Sequence, residues 1–208
     1  MTGVRAVIID PFFEQPNWLS KVEYRETVYL SKNSTEEDAV LFLTLLCGFN
    51  NIAIDKEPNE VVQELIRTDE VALSGGIAFE GQGKLILPSC CCGLEQWKEV
   101  REAVELKKDV WLGHDPFPTI EYIDESVRIW SDDYIGNRKK EPITEQERQK
   151  MFFITYSHHD LIEQMNVIEM DLLDFFKYPL VNALSMVDTG LLDELFAIYR
   201  GWFRLAKK

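Results

Sequence analysis

Apolar and polar positions recur along this chain with both strand-like and helix-like periods. Val4 to Ile9 is apolar apart from Arg5 and runs into Asp10-Pro11, which predicts a short first strand, and Thr27 to Leu30 predicts another. STEEDAVLFLTLLCG then predicts a helix. Ser34 and Glu37 have the spacing of a capping box, and Gly48 stands where a left-handed residue would end the helix. Because Leu41 to Leu46 is nearly all apolar, burial on most sides is expected, with Cys47 as a small core residue. Pro58 opens a second helix with a stripe of Val61, Val62, Leu65 and Ile66.

The stretch from Gly83 to Asp133 carries three of the five tryptophans and reads as the centre of the core. Gly81-Gln82-Gly83 predicts a hairpin turn joining Ile77–Phe79 to Lys84–Leu87; no Walker or dinucleotide signature accompanies these glycines. After the cysteine triplet, Leu94, Trp97, Val100 and Val104 share one helical face, with Glu95, Lys98, Glu99, Arg101, Glu102 and Glu105 on the others. Trp111-Leu112 is expected to begin a strand. TIEYIDESVRIW alternates well enough for a hairpin about Asp124-Glu125-Ser126, with Ile120, Tyr122, Val127 and Ile129 as its apolar members.

Arg138 to Glu141 is a charged break and the expected boundary between a mixed portion, 1–141, and a C-terminal portion, 142–208, packed on it. Everything past that break is expected to be helical. Thr144 with Glu147 repeats the capping-box spacing, Ser157 with Asp160 restarts or continues the helix, and Met165, Ile168, Leu172 and Phe175 keep helical spacing. Pro179 opens or kinks a further segment, and Thr189-Gly190 sets off the last helix. The class expected is α+β: an antiparallel sheet flanked by helices, with a helical C-terminal portion.

Composition narrows the function classes. A chain of 208 residues buries roughly 70% of its unfolded surface, so a substantial core is available. Apolar residues make up 46%, which argues against disorder. The start of the chain lacks a basic segment followed by an apolar run and cleavage site, and the cytoplasm is the expected compartment. Net charge is −14, and removing the four cations of the last nine residues, RGWFRLAKK, leaves −18 on the remainder. Such a body repels nucleic acid and anionic membrane, so neither is expected as a partner. A cationic protein is favoured.

Chemistry-bearing residues are few. Cys90, Cys91 and Cys92 are contiguous and Cys47 is remote, which is no disulfide framework. With His114, His158 and His159 they invite a metal reading, yet adjacent cysteines diverge and there is no CxxC; Cys90 and Cys92 are the pair expected to converge from a turn. Small residues packed at a strand-to-helix junction is the reading preferred, and no metal or cofactor is expected. The competing reading is an enzyme, thiol- or metal-dependent, centred on Cys90–Cys92 and His114. In it a cysteine near the positive end of the following helix acts as the nucleophile. Of His158-His159, one is expected exposed and one against the core. Asp115, Glu121, Asp132 and Asp133 cluster near the ends of the expected hairpin and are the candidate contacts for a basic partner. The basic tail is expected to pack on the core, and the helical C-terminus is also a candidate homodimer surface.

The block from Gly76 to Asp133, with LPSCCCGLEQW and WLGHDP as its most specific pieces, resembles a small group of uncharacterised bacterial proteins. Its order of elements is loosely similar to that of the SUKH superfamily of immunity proteins. The resemblance spans little more than a quarter of the chain. It implies a non-enzymatic partner of a toxin and supplies no catalytic residue.

Overall fold

A computed structural model describes residues 2–138 and 142–206. Residues 139–141, which hold most of the expected boundary, and the last two lysines lie outside the described residues. Two antiparallel sheets and a set of helices make a mixed α+β fold with a long C-terminal helical region.

The first sheet has the order β2-β1-β3-β4, with β1 Gly3–Ile9, β2 Thr27–Tyr29, β3 Gly75–Gly81 and β4 Lys84–Ile86. Its last hairpin turns at Gln82-Gly83 as expected, with Phe79 opposite Ile86 and Gly81 opposite Lys84. α1, Glu36–Phe49, is buried continuously from Asp38 to Cys47, as its unbroken apolar run requires. Its cap differs from expectation. Thr35 and Asp38, not Ser34 and Glu37, form the box: Asp38 N donates to Thr35 Oγ1 at 3.2 Å and Thr35 N to Asp38 Oδ2 at 2.6 Å. The Ser34 hydroxyl is already engaged in the preceding turn, donating to the Tyr29 carbonyl at 2.9 Å. Gly48 does not end the helix either. Asn51 takes the left-handed conformation at φ 54, while a Cβ on Gly48 would lie 2.1 Å from Cγ of Phe13. That glycine is there to admit a ring.

α2, Pro58–Ile66, buries Val61, Val62 and Leu65 of the stripe read from its spacing and leaves Ile66 half-buried, and α3, Trp97–Glu105, buries Trp97, Val100 and Val104; Leu94 and Trp97 are wholly enclosed. A 3₁₀ turn, Leu94–Gln96, separates the cysteines from α3. Trp111-Leu112 is irregular backbone rather than a strand. The next hairpin is β5, Thr119–Ile123, and β6, Ser126–Trp130, with Ile120 opposite Ile129.

Past residue 142 the chain is not all helix. After α4, Glu145–Lys150, comes β7, Phe153–Ser157, which pairs with β6 and completes the second sheet in the order β5-β6-β7. Five residues of alternation between two capping signals are a weak strand signature, and pairing with β6 supplies what local propensity does not. The caps themselves form as read: Thr144 accepts from Glu147 N and Ser157 from Asp160 N. α5, His158–Phe175, then lies on β1, burying Met165, Ile168, Leu172 and Phe175. It widens into a π turn at Phe176–Leu180, where Pro179 cannot donate to the ladder, and ends in α6, Val181–Ala183. α7, Thr189–Trp202, closes the chain.

The sheets meet through Tyr156 of β7. Its hydroxyl lies 3.0 Å from the carbonyl oxygen of Gly3 and 2.9 Å from that of Glu80, and burial pushes its pKa up. Beside it, a Cβ on Gly81 would come within 2.7 Å of Ile154 Cγ2, so only glycine lets β7 approach that closely. One continuous core contains Ile8, Phe79, Val127, Ile154, Phe175 and Phe203. The last helix and the residues after it are tied in by two indole bonds: Trp97 Nε1 donates to the Phe203 carbonyl in a buried bond and Trp202 Nε1 to that of Thr68 in a part-buried one, both at 2.8 Å. Arg204 pairs with Glu102 at 3.0 Å, so the described part of the basic tail is packed on the body.

Ile154 is fully buried on β7, so Ile154→Ala should cost about 2–5 kcal/mol in chemical denaturation. An unchanged midpoint would show that this strand contributes nothing to the core.

Candidate functional site

The segment Pro88–Gly93 leaves β4 and is pinned on both sides by backbone bonds. Gly75 N donates to Cys92 O at 3.2 Å and Leu94 N to Leu73 O at 2.9 Å, fixing it to the start of β3. From the other side, His114 N donates to Cys90 O at 3.1 Å. Gly113 makes that second approach possible: its φ is 97, and a Cβ there would sit 2.8 Å from Cys90 O.

Side chains converge as a result. Cys91 has φ 64, and this left-handed twist brings its Sγ to 3.5 Å from Cys90 Sγ, while Cys91 Sγ lies 3.2 Å from His114 Nε2. The three ligand atoms all fall within 4.8 Å of one another. The converging cysteines are therefore Cys90 and Cys91, not Cys90 and Cys92. The imidazole is framed by Trp111 and Phe117, with ring centroids 6.1 and 5.9 Å away. His114 Nδ1 is buried without a hydrogen-bond partner, and the nearest carboxylate oxygen, Asp115 Oδ2, is 3.6 Å off.

All four thiols are free. Cys91 has its pKa raised, chiefly by its hydrogen bond with Cys90; burial pushes Cys92 up to about 11 and Cys47 up to about 12. All three shifts run opposite to the lowering that a helix N-terminus gives a nucleophilic cysteine. His158 and His159 lie outside the cluster. His158 Nε2 is 2.7 Å from the Val104 carbonyl, and His159 is exposed, matching the expected split.

The four carboxylates read as contacts are not brought together into one patch. Asp115 is 87% exposed at the cluster. Glu121 accepts from Trp130 Nε1 at 3.0 Å and pairs with Arg128 at 3.5 Å. Asp132 accepts from Phe117 N at 2.9 Å and so braces the histidine loop from behind. Asp133 has no exposed surface: it accepts from the backbone N–H groups of Gly136, Asn137 and Arg138 at 2.8–3.0 Å, ordering that turn.

The two cysteines of the cluster, Cys90 and Cys91, line an open groove of about 860 Å³. Phe12, Phe49, Leu85 and Phe152 give the lining its apolar character, and Phe12 is 66% exposed. Asp10, Glu95 and Asp115 also line it, and among the described residues no lysine, arginine or histidine does. Asp10 accepts from the Tyr24 hydroxyl at 2.6 Å, a bond that pushes the phenol up to about 12. The Glu95 side chain folds back over Gly93, whose Cβ would lie 1.8 Å from Oε1, and accepts from Leu73 N at 3.3 Å. Sequence reasoning missed Asp10, Glu95 and these apolar residues. The one local hint was Phe12-Phe13, an aromatic pair set in polar surroundings.

No protein-family model matches the chain, and neither a curated protein nor a solved structure matches it. No helix among the described residues is long and apolar enough to cross a membrane.

Burial is the largest influence on Glu95 and raises its pKa above the usual 4.5. The folded chain then holds this proton to higher pH than the unfolded chain does. Stability therefore falls as pH rises from 4.5 through the folded value and levels off beyond it. Glu95→Gln should be more stable than the parent at neutral pH in urea denaturation, and the two should converge below 4.5. A constant difference across that range would show that the carboxyl is not penalised by burial.

Proposed function

We propose that this is a non-enzymatic binding protein whose groove takes a cationic, apolar-sided segment of a partner protein. The observation that carries the reading is the composition of the lining: aromatic and aliphatic side chains interspersed with Asp10, Glu95 and Asp115, and no basic side chain among the described residues. Apolar walls favour a segment that loses water on docking, and carboxylates at the walls favour lysine or arginine over acidic residues. The net charge of −14 supports the same choice of partner, because opposite charge steers encounter toward about 10⁸ M⁻¹s⁻¹ at low salt. An immunity-type protein that occludes a cationic toxin is the form this reading takes if the SUKH resemblance holds.

Three fluorescent ten-residue peptides in which leucine alternates with lysine, with glutamate or with serine would test the reading. Only the lysine peptide should bind, and added salt should weaken it. Asp10→Asn combined with Glu95→Gln should weaken it about tenfold, equivalent to ~1.4 kcal/mol. Equal binding of all three peptides, or of none, would overturn the proposal.

A further inference from the structure

We infer that Cys90 Sγ, Cys91 Sγ and His114 Nε2 together bind one thiophilic divalent cation of the zinc class, with its fourth position open to the groove. The inference is argued from the geometry of these three side chains alone and does not rest on the peptide-binding reading, although the two sulfurs line the same groove. Two thiolates and an imidazole are the ligand types that zinc draws, and three protein ligands with a water in the fourth place is the pattern of an open rather than a closed site.

The distances suit it. Tetrahedral zinc with bonds of ~2.3 Å to sulfur and ~2.0 Å to nitrogen sets its ligands roughly 3.5–3.8 Å apart. The sulfurs stand 3.5 Å apart and Cys91 Sγ stands 3.2 Å from Nε2, so small rotations of the two exposed thiols open the cluster around an ion. Adjacent cysteines ordinarily point apart. Here the left-handed backbone of Cys91 turns both sulfurs to one side, and the glycine at 113 carries the imidazole to them.

A second observation points the same way. The buried Nδ1 of His114 has no hydrogen-bond partner, and the exposed Asp115 carboxylate is 3.6 Å from it. A metal-bound histidine donates its other N–H to just such a carboxylate, which fixes the tautomer that leaves Nε2 free to ligate. A modest swing of Asp115 completes that bond. Each thiol releases its proton to solvent as the ion binds, and no electron is transferred.

The experiment titrates the full, reduced chain with Co²⁺ under nitrogen and then with Zn²⁺. One equivalent of Co²⁺ should give a sulfur-to-cobalt charge-transfer band and tetrahedral visible bands, which Zn²⁺ abolishes. Cys91→Ser and His114→Gln should each weaken binding at least ~100-fold, and Asp115→Asn about 10-fold. Cys92→Ser should leave it unchanged. Circular dichroism checks that each variant folds. X-ray absorption on the zinc-loaded parent needs no variant and should read two sulfurs and one imidazole nitrogen. Absence of the charge-transfer band, retention of full affinity by Cys91→Ser, or loss of binding in Cys92→Ser would overturn the assignment.

Discussion

The junction between the two sheets is the constraint on which the rest of the molecule depends. Tyr156 places a buried hydroxyl between the carbonyls of Gly3 and Glu80, and Gly81 removes the one atom that would hold Ile154 away. A buried phenol without a partner is costly, so the bond and the close packing reinforce one another. With that contact made, β7 continues into α5, α5 covers β1, and the terminal residues reach Trp97. The groove inherits its shape from the same junction. Its walls come from β4 and the cysteine loop on one side, and from Asp115, Ser131 and Phe152 around the second sheet on the other.

The chemistry of the groove follows from how each polar group is placed. Asp132 and Asp133 are spent on backbone N–H groups and hold the loops that carry Phe117 and Arg138. Asp10 and Asp115 line the groove, as does Glu95 with one carboxylate oxygen held by Leu73 N, and among the described residues no lysine, arginine or histidine lines it beside them. Carboxylates of identical type thus divide into those that build the site and those that give it a charge. Residue type alone does not make that division, because it turns on which backbone donors lie within about 3 Å.

Much of the helical framework was legible. The stripes of α2, α3 and α5 and the caps at Thr144 and Ser157 are local patterns, since residues three and four apart share a face whatever surrounds them. The hairpins at Gln82 and Asp124 are equally local; both residues have positive φ, at 57 and 50. β7 was hidden because its alternation, Ile154 and Tyr156 inward, is brief and is surrounded by helix signals. The cap of α1 was displaced by one residue because two overlapping spacings compete and the turn at Ser31–Ser34 takes the first hydroxyl.

The sequence by itself determined the α+β class, the apolar faces, the acidic surface charge and the shortlist of Cys90, Cys91, Cys92 and His114, because each of these is a property of neighbours along the chain. Only the tertiary structure decided which two of the three cysteines face the histidine, which aspartates are consumed by backbone, and that Phe12, Glu95 and Leu85 share one groove. Those outcomes depend on contacts between segments tens of residues apart, and on a left-handed turn at Cys91 and a missing side chain at Gly113 that only the opposing loop makes necessary.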